Sequence, residues 1–134
     1  MAELVCVDPK EIRRVWPHAS HFIKQAILRT GLSDFREVED SILDGDALLW
    51  LAWDGERIEA AASTVLEVAN MKKVCVIVAC GGDDMTHWLE LIGQIETYAK
   101  NEGCQSTRII GRKGWLRVLD GYSAKHVILE KAVN

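Results

Sequence analysis

The positive charge of this chain is concentrated at Arg108, Arg112, Lys113 and Arg117, with Trp115 among them. A cluster of Lys and Arg around an aromatic residue has the chemistry to dock phosphate groups, nucleic acid or an acidic protein surface. The simpler interpretation is a solvated turn that buries Trp115 in the core. Both interpretations remain open at the level of sequence.

A Gly81-Gly82-Asp83-Asp84 turn separates an apolar run from the start of a helical pattern. The first N–H groups of a helix can hold a phosphate. The two aspartates oppose this, because at ~5 Å and an effective dielectric of about 20 each like-charge pair costs on the order of 3 kcal/mol. One of them also suits the N-cap, where its carboxylate occupies the N–H groups that a phosphate needs.

Sulfur and imidazole groups show no metal-binding spacing, and no metal site is predicted. Cys80 could act as a nucleophile only with a stabilised thiolate, which the neighbouring aspartates oppose. The cysteines, without a CxxC pair, are predicted to be small buried residues: Cys6, Cys75, Cys80 and Cys104.

Composition limits the class of protein. The chain has 134 residues, 49% hydrophobic and 27% charged, with a net charge of −4. This predicts one globular domain over residues 1–134, neither disordered nor membrane-spanning. The acidic balance argues against general nucleic-acid binding. With no export signal, we expect a cytoplasmic protein.

Periodicity predicts an α+β domain with one mixed, mostly antiparallel sheet flanked by helices. The first helix begins at Asp8-Pro9, is interrupted at Trp16-Pro17 and ends at Gly31, and a second helix follows Ser33-Asp34. A third, longer helix ends at Gly103, and a short one lies within residues 111–121. Strands are predicted at residues 3–7, 47–53, 57–68, 73–80, 105–110 and 125–132.

This order of elements resembles the GNAT family of N-acetyltransferases along essentially the whole chain. Residues 47–68 resemble the second and third strands of the family, and residues 74–79 resemble the fourth. Gly121-Tyr122 resembles the Gly-Phe pair before the last strand, and Leu129-Glu130-Lys131 resembles the common ending. A compact subgroup encoded by tailed phages and prophages is similar to this chain at residues 49–53, 80–82 and 111–119. This similarity implies that the protein is located in the host cytoplasm or in a phage particle.

The resemblance implies that acetyl-CoA lies between strands 73–80 and 105–110. Glu67 and His87 are the candidate bases, and the basic cluster becomes a candidate docking patch for the CoA phosphates. By position in the fold, the residues expected to bind the cofactor are Val78, Ala79, Cys80, Gly81, Gly82 and Asp84.

Two motifs of the family are absent from this sequence. No Arg/Gln-x-x-Gly-x-Gly/Ala loop precedes the long helix, and Arg117, Val118 and Leu119 stand where the usual tyrosine acid is expected. Tyr122 corresponds to a packing residue.

These departures predict an acetyltransferase-like protein with a degenerate acetyl-CoA loop and no cofactor. Its role would be binding or structural, as a homo-oligomer or a phage virion or assembly component, without membrane or nucleic-acid partners. The alternative is an active N-acetyltransferase that moves an acetyl group from acetyl-CoA to an amine.

Overall fold

The computed structural model describes residues 3–111 and 113–133. One sheet holds five strands in sequence order, with all neighbours antiparallel except the parallel last pair. The predicted α+β class with a mixed, mostly antiparallel sheet is confirmed. The elements are β1 Glu3–Cys6, α1 Ile12–Thr30, α2 Phe35–Leu43, β2 Leu48–Trp53, β3 Ile58–Ala69, β4 Lys72–Gly82, α3 Met85–Asn101 and β5 Ser106–Ile109.

Helix α1 is continuous through Pro17, so the predicted interruption at Trp16-Pro17 is wrong. Proline inside a helix removes one backbone hydrogen bond and strains the preceding turn. Tertiary packing compensates here, because Trp16 is buried, donates from Nε1 to Glu39 Oε2 of α2 at 2.7 Å and stacks on Phe35. Gly31 ends the helix in the left-handed conformation, as predicted.

The sheet separates two apolar cores. Helices α1 and α2 cover one face, where Ile23 and Leu49 are buried, and α3 covers the other, where Ile77 and Ile95 are buried. Alternate residues of the central strands therefore enter different cores. This explains the continuous apolar runs in β2 and β4, which are typical of strands buried on both faces.

An irregularity in the β3–β4 pair shapes the region beside β5. Ser63 lies opposite Ala79 and Thr64 lies opposite Ile77, so Val78 is an extra residue on β4. On its other side β4 pairs with β5 only as far as Ile77. The last four residues of β4, Ala79 to Gly82, thus keep β3 as a partner beyond the point where the pairing with β5 ends.

The predicted strand at residues 125–132 is not formed. These residues are exposed, and neither a helix nor a strand includes them. Alternation of apolar and polar residues favours a strand, but a strand also needs a neighbour, and this segment has none within the described chain. The short helix within residues 111–121 is confirmed as a 3₁₀ turn, Lys113–Arg117. Among the described residues, no helix is both long and apolar enough to cross a membrane.

Candidate functional site

The space between the ends of β4 and β5 is almost closed. A cavity of only about 20 Å³ remains there, bordered by Cys80 of β4, by Ile110 after β5 and by Thr30 of α1. A water molecule needs roughly 10–15 Å³ by the same measure, whereas small-molecule pockets occupy about 300–1,000 Å³. This opening accommodates about one water molecule and no pantetheine chain.

Trp115 borders this cavity and belongs to a stacked pair of tryptophans. Trp115 of the 3₁₀ turn stacks on Trp88 of α3, with ring centroids 4.8 Å apart and planes at 19°. Both indoles pack against the core beneath α3. A Cβ on Gly111 would lie 3.2 Å from Cδ2 of Trp115, so the absence of a side chain at Gly111 lets the indole approach the backbone. The interpretation of Trp115 as a packing residue therefore has structural support.

Gly81 and Gly82 lie in β4, where they allow close backbone packing. A Cβ on Gly81 would lie 2.8 Å from the carbonyl oxygen of Phe22 in α1. On Gly82 it would lie 2.7 Å from Cβ of Ala60, its partner in β3. Close packing explains why both positions are glycine, and neither residue belongs to an open loop in front of α3.

The start of α3 is acidic and already capped. The carboxylate of Asp84 accepts a hydrogen bond from Thr86 N at 2.8 Å, and this bond lowers the pKa of Asp84. Asp83 lies 3.6 Å from the guanidinium of Arg57. A diphosphate here would have to displace the cap and approach two carboxylates, which like-charge repulsion disfavours.

The two candidate bases lie far apart. His87 in the first turn of α3 has its Nε2 atom 2.8 Å from Glu59 Oε2 of β3. Glu67 is eight residues further along β3, about 26 Å at the usual rise of a strand, and lies 3.9 Å from Arg108. Sequence reasoning missed Glu59, since nothing in the pattern of β3 distinguishes it from other polar strand residues.

Among the described residues, neither Cys80 nor the basic cluster forms a reactive site. Burial raises the pKa of the Cys80 thiol to about 12, so the thiolate is strongly disfavoured at neutral pH. In the cluster, Arg108 and Arg117 are exposed, while Arg112 and the side chain of Lys113 lie outside the described residues. Within the described part of the chain, no group of three or more His, Cys, Asp or Glu could hold a metal ion.

A second cavity of about 290 Å³ lies between α2 and the sheet, and sequence reasoning did not predict it. Ser63, which is 1% exposed, borders it, and its Oγ has no hydrogen-bond partner in the described structure. Val78, the extra residue of β4, is also in the lining, while Asp34 and Glu37 contribute acidic groups. The cavity offers an apolar wall, one unpaired hydroxyl and negative charge.

Most of the predicted cofactor residues are packed against neighbours or used in a helix cap. Ala79 and Cys80 are buried, the two glycines are packed, and the carboxylate of Asp84 is used as a cap. Val78 alone borders a cavity large enough for a small molecule, and that cavity is on the α2 side. Their assignment to cofactor binding stays a prediction that this geometry disfavours.

Several solved acetyltransferase structures share this architecture. A GNAT family acetyltransferase from Staphylococcus aureus superposes with a TM-score of 0.68 at 10% identity, covering 98% of both chains. The chain has the GNAT fold. An aminoglycoside acetyltransferase from an uncultured soil metagenomic sample, in complex with sisomicin, gives 0.73 at 8% identity, covering 99% of this chain and 96% of the other.

Another GNAT-fold neighbour is a predicted acetyltransferase from Clostridium acetobutylicum, solved with acetyl-CoA. It gives a TM-score of 0.66 at 11% identity, covering 97% of this chain and 96% of the other. No protein-family model and no curated protein matches the sequence. The likeness to these GNAT structures is therefore one of fold.

Proposed function

We propose that this GNAT-fold protein is a binding or structural protein that does not use acetyl-CoA. The observation that carries the proposal is the small size of the space at the ends of β4 and β5, about 20 Å³, which is bordered by Trp115, the residue that stacks on Trp88. In the family that the sequence resembles, this is the place where the pantetheine arm pairs with the fourth strand. With Trp115 at its border, this space is far smaller than an ordinary small-molecule pocket.

The charges around α3 support the same proposal. Asp83 and Asp84 stand at the helix start, where a family member would bind pyrophosphate, and Asp84 is already bonded to Thr86. The similarity of residues 49–53 and 111–119 to phage-encoded proteins suggests a role in a virion or in its assembly. The direct test is to look for the protein in purified phage particles. Its detection there would support a role in the virion, and its absence would contradict that role.

Thermal unfolding with and without acetyl-CoA tests the proposal. A ligand at 100 times its dissociation constant stabilises a protein by about 2.7 kcal/mol, which is several degrees in a domain of this size. We expect no change in Tm at millimolar acetyl-CoA, whereas an acetyltransferase of the same fold serves as the positive control. A saturable rise of several degrees would overturn the proposal.

The second candidate is an active N-acetyltransferase, and the larger cavity favours it. Asp34 and Glu37 suit a cationic amine, and the unpaired Ser63 hydroxyl offers a hydrogen bond inside the cavity. A mixture of primary amines with acetyl-CoA, followed by detection of free CoA thiol, separates the candidates. We expect no enzyme-dependent thiol release, and release that Ser63→Ala reduces would favour the transferase.

A further inference from the structure

The two helices that cover one face of the sheet carry opposite charges. Residues 12–30, which form α1, include four Lys or Arg side chains and neither Asp nor Glu. Residues 34–46, which hold α2 and its two ends, include six Asp or Glu side chains and one Arg. Solvent-exposed helices commonly alternate charges of both signs along one face, whereas these two helices separate them.

The charged side chains are exposed on the outer surface of this helix layer. On α1 we call the exposed cations beside α2 and towards solvent the basic face: Arg13, Arg14 and Lys24. On α2 and its C-cap, spacings of three and four residues place the exposed acids on one side of the helix. We call them the acidic face: Glu37, Asp40 and Asp44.

Contacts between the two helices fix their relative levels. The Nζ atom of Lys24 lies 5.7 Å from the centre of the Phe35 ring at the start of α2. The indole of Trp16, two turns earlier in α1, bonds to Glu39 near the middle of α2. The helices therefore run in opposite directions, with the basic face beside the acidic face. A nucleic-acid backbone on this layer would be attracted by one helix and repelled by the other.

We propose that this helix layer docks on the same layer of a second copy of the chain, with α1 of each copy over α2 of the other. A two-fold axis that is parallel to the helices and lies midway between them gives this arrangement, and it pairs the basic face with the acidic face twice. Because such an axis preserves the levels along the helices, Lys24 stands near Glu37 of the second copy. The proposal does not depend on whether the protein binds acetyl-CoA.

Exposed leucines lie on the same layer. Leu28 of α1 is 69% exposed and follows Lys24 by four residues, so it lies on the same side of the helix. Leu32 in the next loop is 45% exposed. Protein interfaces commonly combine apolar contacts with a polar rim, and charge complementarity supplies specificity more than affinity. We therefore expect a dimer that is sensitive to salt.

Sedimentation equilibrium tests the association. The chain has a mass of 15.0 kDa, and the wild type should give twice this value at low salt. At ~1 M salt the screening length falls to roughly 3 Å, so the dissociation constant should rise by about tenfold or more relative to ~50 mM salt. A wild type that is monomeric at low salt, or a dimer that salt leaves unchanged, would overturn the proposal.

Charge reversal tests the pairing of the two faces. One variant is Arg13→Glu/Arg14→Glu/Lys24→Glu, and the other is Glu37→Lys/Asp40→Lys/Asp44→Lys. Each variant alone should be monomeric, because its two faces then carry the same sign. An equimolar mixture should restore the dimer, since one copy brings two acidic faces and the other brings two basic faces. A mixture that stays monomeric would overturn the proposal.

The matched control changes the net charge by the same amount outside α1 and α2. Lys72→Glu/Lys100→Glu/Arg117→Glu alters three exposed cations there and should remain a dimer. A monomeric control would show that net charge governs the association, which contradicts the proposed docking. Circular dichroism checks that each variant keeps its helices.

A nucleic acid is the competing occupant of the basic face. Fluorescein-labelled duplex DNA, titrated at low salt, should show no binding that depends on this face. Binding by the wild type that is lost in Arg13→Glu/Arg14→Glu/Lys24→Glu would assign the face to nucleic acid and overturn docking of a second copy.

Discussion

Removal of the Trp115 indole is the most informative change in the β4–β5 cleft. Complete truncation of a buried Trp costs about 3–5 kcal/mol, and Trp115 is partly buried, so we expect Trp115→Ala to lower the free energy of unfolding by about 2–3 kcal/mol. With an unfolding entropy of about 2.1 cal/mol/K per residue over the 134-residue chain, 2.5 kcal/mol corresponds to a Tm decrease of about 9 °C.

The Trp88–Trp115 stack itself is measured by a double-mutant cycle. Aromatic pairs of this geometry contribute about 0.5–1.5 kcal/mol beyond buried area, so Trp88→Ala and Trp115→Ala should be non-additive by about that amount. Urea unfolding followed by circular dichroism suits these variants, because each one removes a fluorophore.

A control cycle pairs Trp115→Ala with Trp16→Phe, since Trp16 lies in the core on the other face of the sheet. Those two changes should be additive within about 0.3–0.5 kcal/mol. A coupling between Trp88 and Trp115 no larger than that of the control would refute the closed cleft.

Four further predictions concern stability and reactivity. Thr64→Val should lower the free energy of unfolding by about 1–3 kcal/mol in urea titrations, because it leaves the buried N–H of Trp50 without its 3.0 Å acceptor. Ser63→Ala at the adjacent position should be neutral or stabilising, since it removes an unpaired hydroxyl; a loss equal to that of Thr64→Val would show that Ser63 is bonded. Asp84→Ala should lower the free energy of unfolding at pH 7, and the difference between variant and wild type should shrink as the pH falls below 3.8. The reason is that a carboxyl group whose pKa is lowered on folding contributes stability only while it is ionised. A difference in the free energy of unfolding that does not change with pH would contradict this prediction. Cys80 should react with thiol reagents only as fast as the protein unfolds, as mass spectrometry of the labelled protein would measure, and rapid labelling of the native state would contradict its burial.

Local patterns in the sequence predicted most of the fold because their causes are local. Asn70 and Met71 lie in the turn that follows the third predicted strand, and both have positive φ in the structure, as a tight hairpin turn requires. Pro17 shows the limit of such reasoning, since the contact between Trp16 and Glu39 that holds α1 together joins residues 23 positions apart. Residues 125–132 also show this limit. Their alternation of apolar and polar residues is a local pattern, whereas a strand needs a partner from a distant part of the chain.

The candidate site was less predictable than the fold because it depends on contacts between distant residues. The sequence predicts that Gly81 and Gly82 lie beside a helix start, and only the structure shows that they pack against Phe22 and Ala60. The roles of Asp83 and Asp84 could be predicted from the sequence, because charge repulsion and helix capping act between residues that are close in the chain. The unpaired hydroxyl of Ser63 has no sequence signature, because a serine in an apolar strand is ordinarily bonded to something.

The closed cleft follows from the way in which β4 is built. The extra residue Val78 ends the pairing with β5 at Ile77 while β4 continues along β3, so the two parallel strands cannot remain in contact to their ends. A gap between them would leave apolar surface unpacked, and protein interiors do not retain such voids without a cost. Here Trp115, stacked on Trp88, borders the small cavity that remains at this point. A protein that fills the gap with its own side chains needs no ligand to complete its core, and it should therefore reach full stability in the absence of acetyl-CoA.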